Sequence, residues 1–232
     1  MSNITESTNC LKSLIVSPIK SRITEITRLR ATRVEKEDNS YVTEGDLLVQ
    51  EIILNVICEK YKESIIISEE LKNETLDIGN KDVFVIDPID GTENFTSGFP
   101  EWGVSVAHYK CGSHVDSLLF CPEMNLAIGS NESIIRHQSR VRGLSSSLSM
   151  EDLISATQGY EYRILGCCVY NMISVIRGSF CAFENPKGAN SWDILAGLNI
   201  ALEHGLSVVV NNKEYKGEYL PHTQKYCFKI EE

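Results

Sequence analysis

The sequence has no apolar run approaching the roughly eighteen residues needed to cross a bilayer, so no transmembrane helix is expected. It has no Cys-x-x-Cys pair, no histidines at metal-binding spacing, no internal repeat and no low-complexity segment. The opening "MSNITESTNCLKSLIVSPIKSR" lacks the basic-then-apolar order of a secretory leader. The eight cysteines are scattered, with Cys167 and Cys168 adjacent, which in a chain this long reads as reduced, mostly buried thiols in a cytosol-like compartment. Four Asn-x-Ser/Thr triplets, at Asn3, Asn73, Asn94 and Asn131, are therefore taken as chance matches. Basic residues are also scarce: the net charge is −10, which argues against nucleic acid or an anionic membrane as partner. It leaves anionic small substrates open, because a bound divalent cation reverses the local field.

What is present is an ordinary globular composition over 232 residues, long enough for one large domain or two joined halves. Leu48, Val49, Ile52, Ile53, Val56 and Ile57 recur at helical spacing, predicting an amphipathic helix over 45–61, with Thr43 and Asp46 as a capping box. "SIIIS" (64–68) and "VFVI" (83–86) read as short buried strands ending on Glu69 and Asp87. "WGVSVAHY", "SLLF" and "LAIGS" alternate and predict an antiparallel meander. Residues 131–152 carry little pattern and mark a crossover, dividing the chain into an N-terminal α+β half (1–135) and a C-terminal α/β half (136–232). The second half predicts a strand near Ile154–Thr157, a helix over 166–176, a strand in "SFCAFE", a helix from Ser191 as N-cap to Gly205, and a final strand in "LSVVVNN".

Asp46, Glu69, Asp87, Asp90 and Asp193 each fall at the end of a predicted strand or the start of a predicted helix. Taken singly they have plain explanations. Asp46 and Asp193 suit the first turn of a helix, Glu69 and Glu70 a solvated loop, and Asp87–Thr92 a Pro-x-Asp-Gly turn. Taken together, two buried strands side by side would converge Glu69 and Asp87 at one edge. The Gly91-Thr92 turn would then offer backbone N–H groups to phosphate. Hard oxygen ligands beside an anion site favour Mg²⁺. The residues alone point to a metal-assisted phosphate-ester enzyme.

"DPIDGTENF" (87–95) resembles the Asp-Pro-Ile/Leu-Asp-Gly-Thr signature of the inositol monophosphatase family of Mg²⁺-dependent, lithium-sensitive phosphatases. "WDILAGLNIALEHG" (192–205) is similar to its second signature, and "EGD" and "SEE" fall where the family keeps acidic segments. The resemblance covers about residues 36–130 and 154–212. It implies a layered αβαβα sandwich of the kind shared with fructose-1,6-bisphosphatase, a homodimer, and a small phosphate ester as substrate, with two or three Mg²⁺ per site. Glu69, Asp87 and the carbonyl of Ile89 would hold one cation, and Asp87, Asp90 and Asp193 another. Thr92, bonded to Asp46, would with Glu69 activate the attacking water. Asp90, Gly91, Thr92, the backbone at Cys168, Glu184 and Asp193 would meet the substrate. Lys36 lies near a lysine that the family often carries on a loop by the metals.

The chain departs from the pattern at Glu93, where a second threonine is common, and in the longer loop "ENPKGANS" before Trp192. Around 159–163 it passes almost directly from strand to helix, where the family usually has an extra helix and strand. The implied activity is hydrolysis of a polyol or sugar monophosphate. The alternatives are removal of the 3′-phosphate of adenosine 3′,5′-bisphosphate, and a catalytically weak metal-binding regulatory or interaction protein.

Overall fold

The computed structural model describes residues 10–36, 40–74, 78–156 and 161–232. The N-terminal region, weakly patterned in sequence, is helical: α1 (Leu11–Ser21), α2 (Ile23–Arg28) and a 3₁₀ turn (Leu29–Thr32). Leu11, Ile15 and Ile19 recur every four residues as one narrow buried stripe, and Ile26 extends it. With polar residues filling the other positions, that stripe is easily overlooked. A small ribbon of β1 (Val34–Glu35) and β2 (Tyr41–Val42) leads into α3 (Glu44–Lys60). Thr43 caps α3 as expected: its hydroxyl accepts from Gly45 and Asp46 N–H.

The first sheet joins β3 (Ile65–Ser68), β4 (Asp82–Asp90), β5 (Gly103–Lys110), β6 (Ser113–Cys121) and β7 (Leu126–Gly129) in sequence order. Only the β3–β4 pair is parallel, and the expected meander is β5–β6–β7. The short helix α4 (Thr92–Ser97) follows β4. β4 is buried on both faces, which explains its unbroken apolar run. Phe84 and Ile86 pack with α1 and α3, whereas Val83 and Val85 face a second core built on α6 (Cys168–Ile176) and α7 (Ser191–Glu203).

That helix pair is covered in turn by a second sheet. Its strands are β8 (Val141–Leu144), β9 (Glu161–Ile164), β10 (Ala182–Ala189), β11 (Ser207–Val210), β12 (Lys213–Glu214) and β13 (Tyr226–Glu231), in the order β12-β11-β13-β10-β8-β9. β9, β8 and β10 run parallel; the rest is antiparallel. The helix α5 (Met150–Ala156) makes the crossover from β8 to β9. The layers follow the αβαβα order, with α5 in the fifth among the described residues.

Several local expectations change. Ile154 is in α5, not in a strand, and Thr157 lies outside the described residues. The chain does not pass directly from strand to helix around 159–163: α5 and β9 stand between β8 and α6. The N-cap of α7 is Asn190 rather than Ser191, and the closing strand is β13 rather than β11. Residues 1–9 and the triplet at Asn3 also lie outside the described residues. All eight cysteines are free thiols. No helix among the described residues is long and apolar enough to cross a membrane.

Candidate active site

Three elements bring carboxylates to one point. β3 and β4 run parallel and in register, so Glu69 and Asp87 leave the same edge of the sheet. α7 delivers Asp193 from its first turn. Glu69, Asp87 and Asp193 each place an oxygen within 4.8 Å of the others. Asp87 and Asp193 are pushed well above the ordinary carboxylate range, first by burial and then by the charges crowding them. For Asp87 those neighbours are Glu69, Asp90, Asp193 and Asp46.

Asp90 is fixed differently. Its Oδ2 accepts from Val169 N–H (2.6 Å) and from the Cys167 thiol (2.8 Å). The Cys168 backbone N–H also favours the charged form of Asp90, and Cys168 lines the cleft beside it. A carboxylate on the N-terminus of α6 is favoured by the helix dipole and by unpaired N–H groups. Burial still raises Asp90 to about 6 against these bonds.

Asp46 and Asp193 share one arrangement, each with Oδ2 turned back to the N-cap of its helix. Asp46 Oδ2 takes Thr43 N–H (2.8 Å) and the Thr43 hydroxyl (2.6 Å). Asp193 Oδ2 takes Asn190 N–H at 2.7 Å. Asp46 is raised to about 6, chiefly by burial. The bond from Thr92 to Asp46 that the family resemblance implies is not formed, because the Thr92 hydroxyl donates to the Ile89 carbonyl at 3.1 Å.

Gly91 makes the turn between β4 and α4 with φ +81°, in the left-handed region open to glycine. A Cβ there would meet the Cys167 side chain at 3.0 Å and the Gly166 carbonyl at 3.3 Å. Glycine is thus required both by conformation and by the approach of the α6 loop. Asn94 ties that loop down, donating to the carbonyls of Glu101 (2.7 Å) and Leu165 (2.6 Å). Glu93 is exposed on α4 beside Ser97 and does not enter the site.

Lys36 comes as the resemblance implied, with Nζ 2.7 Å from Glu70 and 3.3 Å from Glu69. Burial nevertheless lifts Glu70 to about 7. Glu184 is not drawn in. It faces Arg142 at 3.9 Å, and its neighbour Asn185 lines the cleft instead.

The cleft beside Asp90 and Asp193 holds about 180 Å³ and is walled by Ser145–Ser147, Cys168, Asn171, Asn185 and Lys225, among others. Of these, only Cys168 was expected at the site from the sequence. Among the others, Asn171 alone carried a signal, as an amide within the apolar run "CVYNMISVI" of α6.

The donor set fits a hard divalent cation. Oδ1 of both Asp87 and Asp46 is buried with no hydrogen-bond partner, which is costly unless something positive meets it. Oxygen-only ligands suit Mg²⁺ or Ca²⁺ rather than a soft metal.

Residues 6–133 match the sequence profile of the inositol monophosphatase family. The chain belongs to that family. A fructose-1,6-bisphosphatase/inositol-1-monophosphatase of Thermotoga maritima is 29% identical over 196 residues, 76% of this chain and 74% of that protein. Nus factor SuhB of Pasteurella multocida is 42% identical over 197 residues, 73% of this chain and 72% of its own length. Among solved structures, Thermotoga maritima IMPase superposes with a TM-score of 0.71 at 25% identity, covering 91% of this chain and 92% of that one. An IMPase/NADP phosphatase complexed with Mg²⁺ and phosphate has the same fold, with TM-score 0.77 at 20% identity over 95% of this chain and 90% of its own. Inositol monophosphatase family members are metal-dependent phosphatases, and this chain is one of them.

Proposed function

We propose that the chain is a Mg²⁺-dependent, lithium-sensitive phosphomonoesterase acting on a small polyol or sugar phosphate. The observation that carries this reading is the convergence of Glu69, Asp87 and Asp193 within 4.8 Å beside the Gly91 turn. Glu69, Asp87 and the Ile89 carbonyl would hold one Mg²⁺, and Asp87, Asp90 and Asp193 a second. When bound, the cations supply Lewis-acid charge that makes water nucleophilic near neutral pH and steadies the departing oxygen.

The chain's own groups do the rest. The Ile89 carbonyl has two lone pairs, so it can accept from Thr92 and still face a cation. Asp46 keeps Oδ1 as the acceptor to which the Thr92 hydroxyl would turn when it takes a proton from the attacking water. Glu69 would be the second candidate base. The N–H groups of Gly91 and Thr92 would hold the phosphate oxygens in line for attack. Capping bonds on Asp46 and Asp193 fix both carboxylates before anything binds. The free thiols support a reducing compartment such as the cytosol.

The test is phosphate release across inositol phosphates, sugar phosphates and adenosine 3′,5′-bisphosphate. Turnover should vanish with EDTA, return with Mg²⁺ and fall with lithium. Release that survives EDTA, or a silent panel with Mg²⁺ bound, would refute the reading; a single strong response to adenosine 3′,5′-bisphosphate would replace the substrate class.

A further inference from the structure

The proposed reaction makes no use of a buried thiol that touches one of its carboxylates. Cys167 is 2% exposed and stands at the N-cap of α6. Its sulfur accepts from Tyr170 N–H at 3.3 Å. An amide N–H can only donate, so the thiol proton is free to point elsewhere. It points to Asp90: Sγ lies 2.8 Å from Oδ2, across 77 residues of sequence. The sulfur is thus engaged twice, as an acceptor toward its own helix and as a donor toward β4. Val169 N–H reaches the same oxygen at 2.6 Å. Both bonds fall on Oδ2, which turns that oxygen into α6 and leaves Oδ1 to face the cleft that Asp90 lines. The Cβ of Cys167 has a separate neighbour, since a Cβ added at Gly91 would lie 3.0 Å from it. The carbon rests on the turn proposed to hold phosphate, while the sulfur holds the carboxylate before that turn.

We infer that Cys167 is a positioning residue for the second Mg²⁺: its S–H, together with Val169 N–H, sets the orientation of Asp90 so that Oδ1 meets the cation. This rests on the phosphatase reading for the use made of that cation. Groups that orient a metal's ligands are worth about 10- to 100-fold in metal affinity or activity. A thiol is a weaker donor than a hydroxyl, so Cys167 belongs at the lower end of that range.

Cys167→Ala and Cys167→Ser both keep the Cβ that rests on Gly91, so they change the sulfur alone. By isothermal titration, Cys167→Ala should raise the Mg²⁺ Kd by about tenfold, and Cys167→Ser should stay within about threefold of the parent chain because its hydroxyl both donates and accepts. With saturating Mg²⁺ and a phosphate ester the chain hydrolyses, the alanine variant should lose about tenfold in kcat with KM changed by no more than about twofold, and serine should restore it. A residue that only capped α6 would behave otherwise. Its alanine variant would melt at a lower temperature without metal but keep the parent Kd and kcat. That result, or a serine variant as impaired as alanine, would overturn the inference. A parent chain that hydrolyses no ester, with Mg²⁺ affinity still lost in alanine and kept in serine, would defeat the phosphatase reading and leave Cys167 its role. Equal Mg²⁺ Kd values and equal turnover in all three chains would do the reverse.

Discussion

Asp46 and Asp193 show why a plain structural role and a functional one need not compete. Each is the acidic third residue of a helix and spends one oxygen on its cap. That bond holds the side chain still while the other oxygen stays available. Asp87 has no such cap. Its Oδ1 is buried and unpaired, and burial with four charged neighbours raises its affinity for a proton. It is therefore the residue at which function and stability pull hardest in opposite directions. Asp87→Asn keeps the shape, removes one charge from the crowd and gives Asp193 a donor. Phosphate release should fall by about a thousandfold or more, on the scale of losing a main electrostatic contact at a reacting centre. Without added metal, the melting temperature should rise by about 2–4 °C, as about 1 kcal/mol does in a chain of this length. Scanning fluorimetry with EDTA beside a phosphate-release assay checks both. Loss of activity together with a lower melting temperature would make Asp87 a structural residue instead.

The elements behind the site were legible to different degrees, for physical reasons. β4 and α3 are buried along a whole face or on both faces, so their periodicity is strong and the residues at their ends could be named from the sequence. α1 buries one residue in four, and α5 leaves Met150 and Ile154 exposed, so neither leaves a clear pattern. The convergence of Glu69 with Asp87 followed from two strands side by side. The bonds from Val169 and Cys167 to Asp90, which span 79 and 77 residues, could not be foreseen, because they depend on how α6 docks on β5. Gly103 sets that docking. A Cβ on Gly103 would lie 2.4 Å from Val169 Cγ1 and 3.1 Å from the Phe120 carbonyl. Val169 is stiff in a helix, so the whole of α6 must move. Gly103→Ala should cost about 1–3 kcal/mol through overpacking. It should also weaken phosphate release, because the N–H that fixes Asp90 moves with the helix. A variant with unchanged melting temperature and kcat would show that α6 is not held by this contact.

Across the whole molecule, the carboxylate cluster makes stability depend on pH in an unusual direction. Most carboxylates in folded proteins are held below their ordinary range and lose stability as acid protonates them. Here Asp46 and Asp90 are raised to about 6 and Glu70 to about 7, with Asp87 and Asp193 raised further. At these carboxylates the folded chain binds more protons than the unfolded one between about pH 4 and pH 7. His108, His114 and His204, lowered by burial, oppose them. The carboxylates are more numerous, and stability falls as pH rises through that window. A divalent cation bound only by the folded chain opposes this, because it replaces the protons and stabilises by mass action. The metal-free protein should thus melt at a higher temperature near pH 5 than near pH 7.5. Added Mg²⁺ should raise the melting temperature strongly at pH 7.5 and little at pH 5, where protons compete for the same oxygens. Sodium chloride at matched ionic strength should not reproduce the effect. Calorimetry at the two pH values, with EDTA and with Mg²⁺, decides it. A metal-free melting temperature that climbs from pH 5 to pH 7.5 would mean that these carboxylates are already neutralised inside the fold by their hydrogen bonds and by Lys36, and that the site needs no cation to stand.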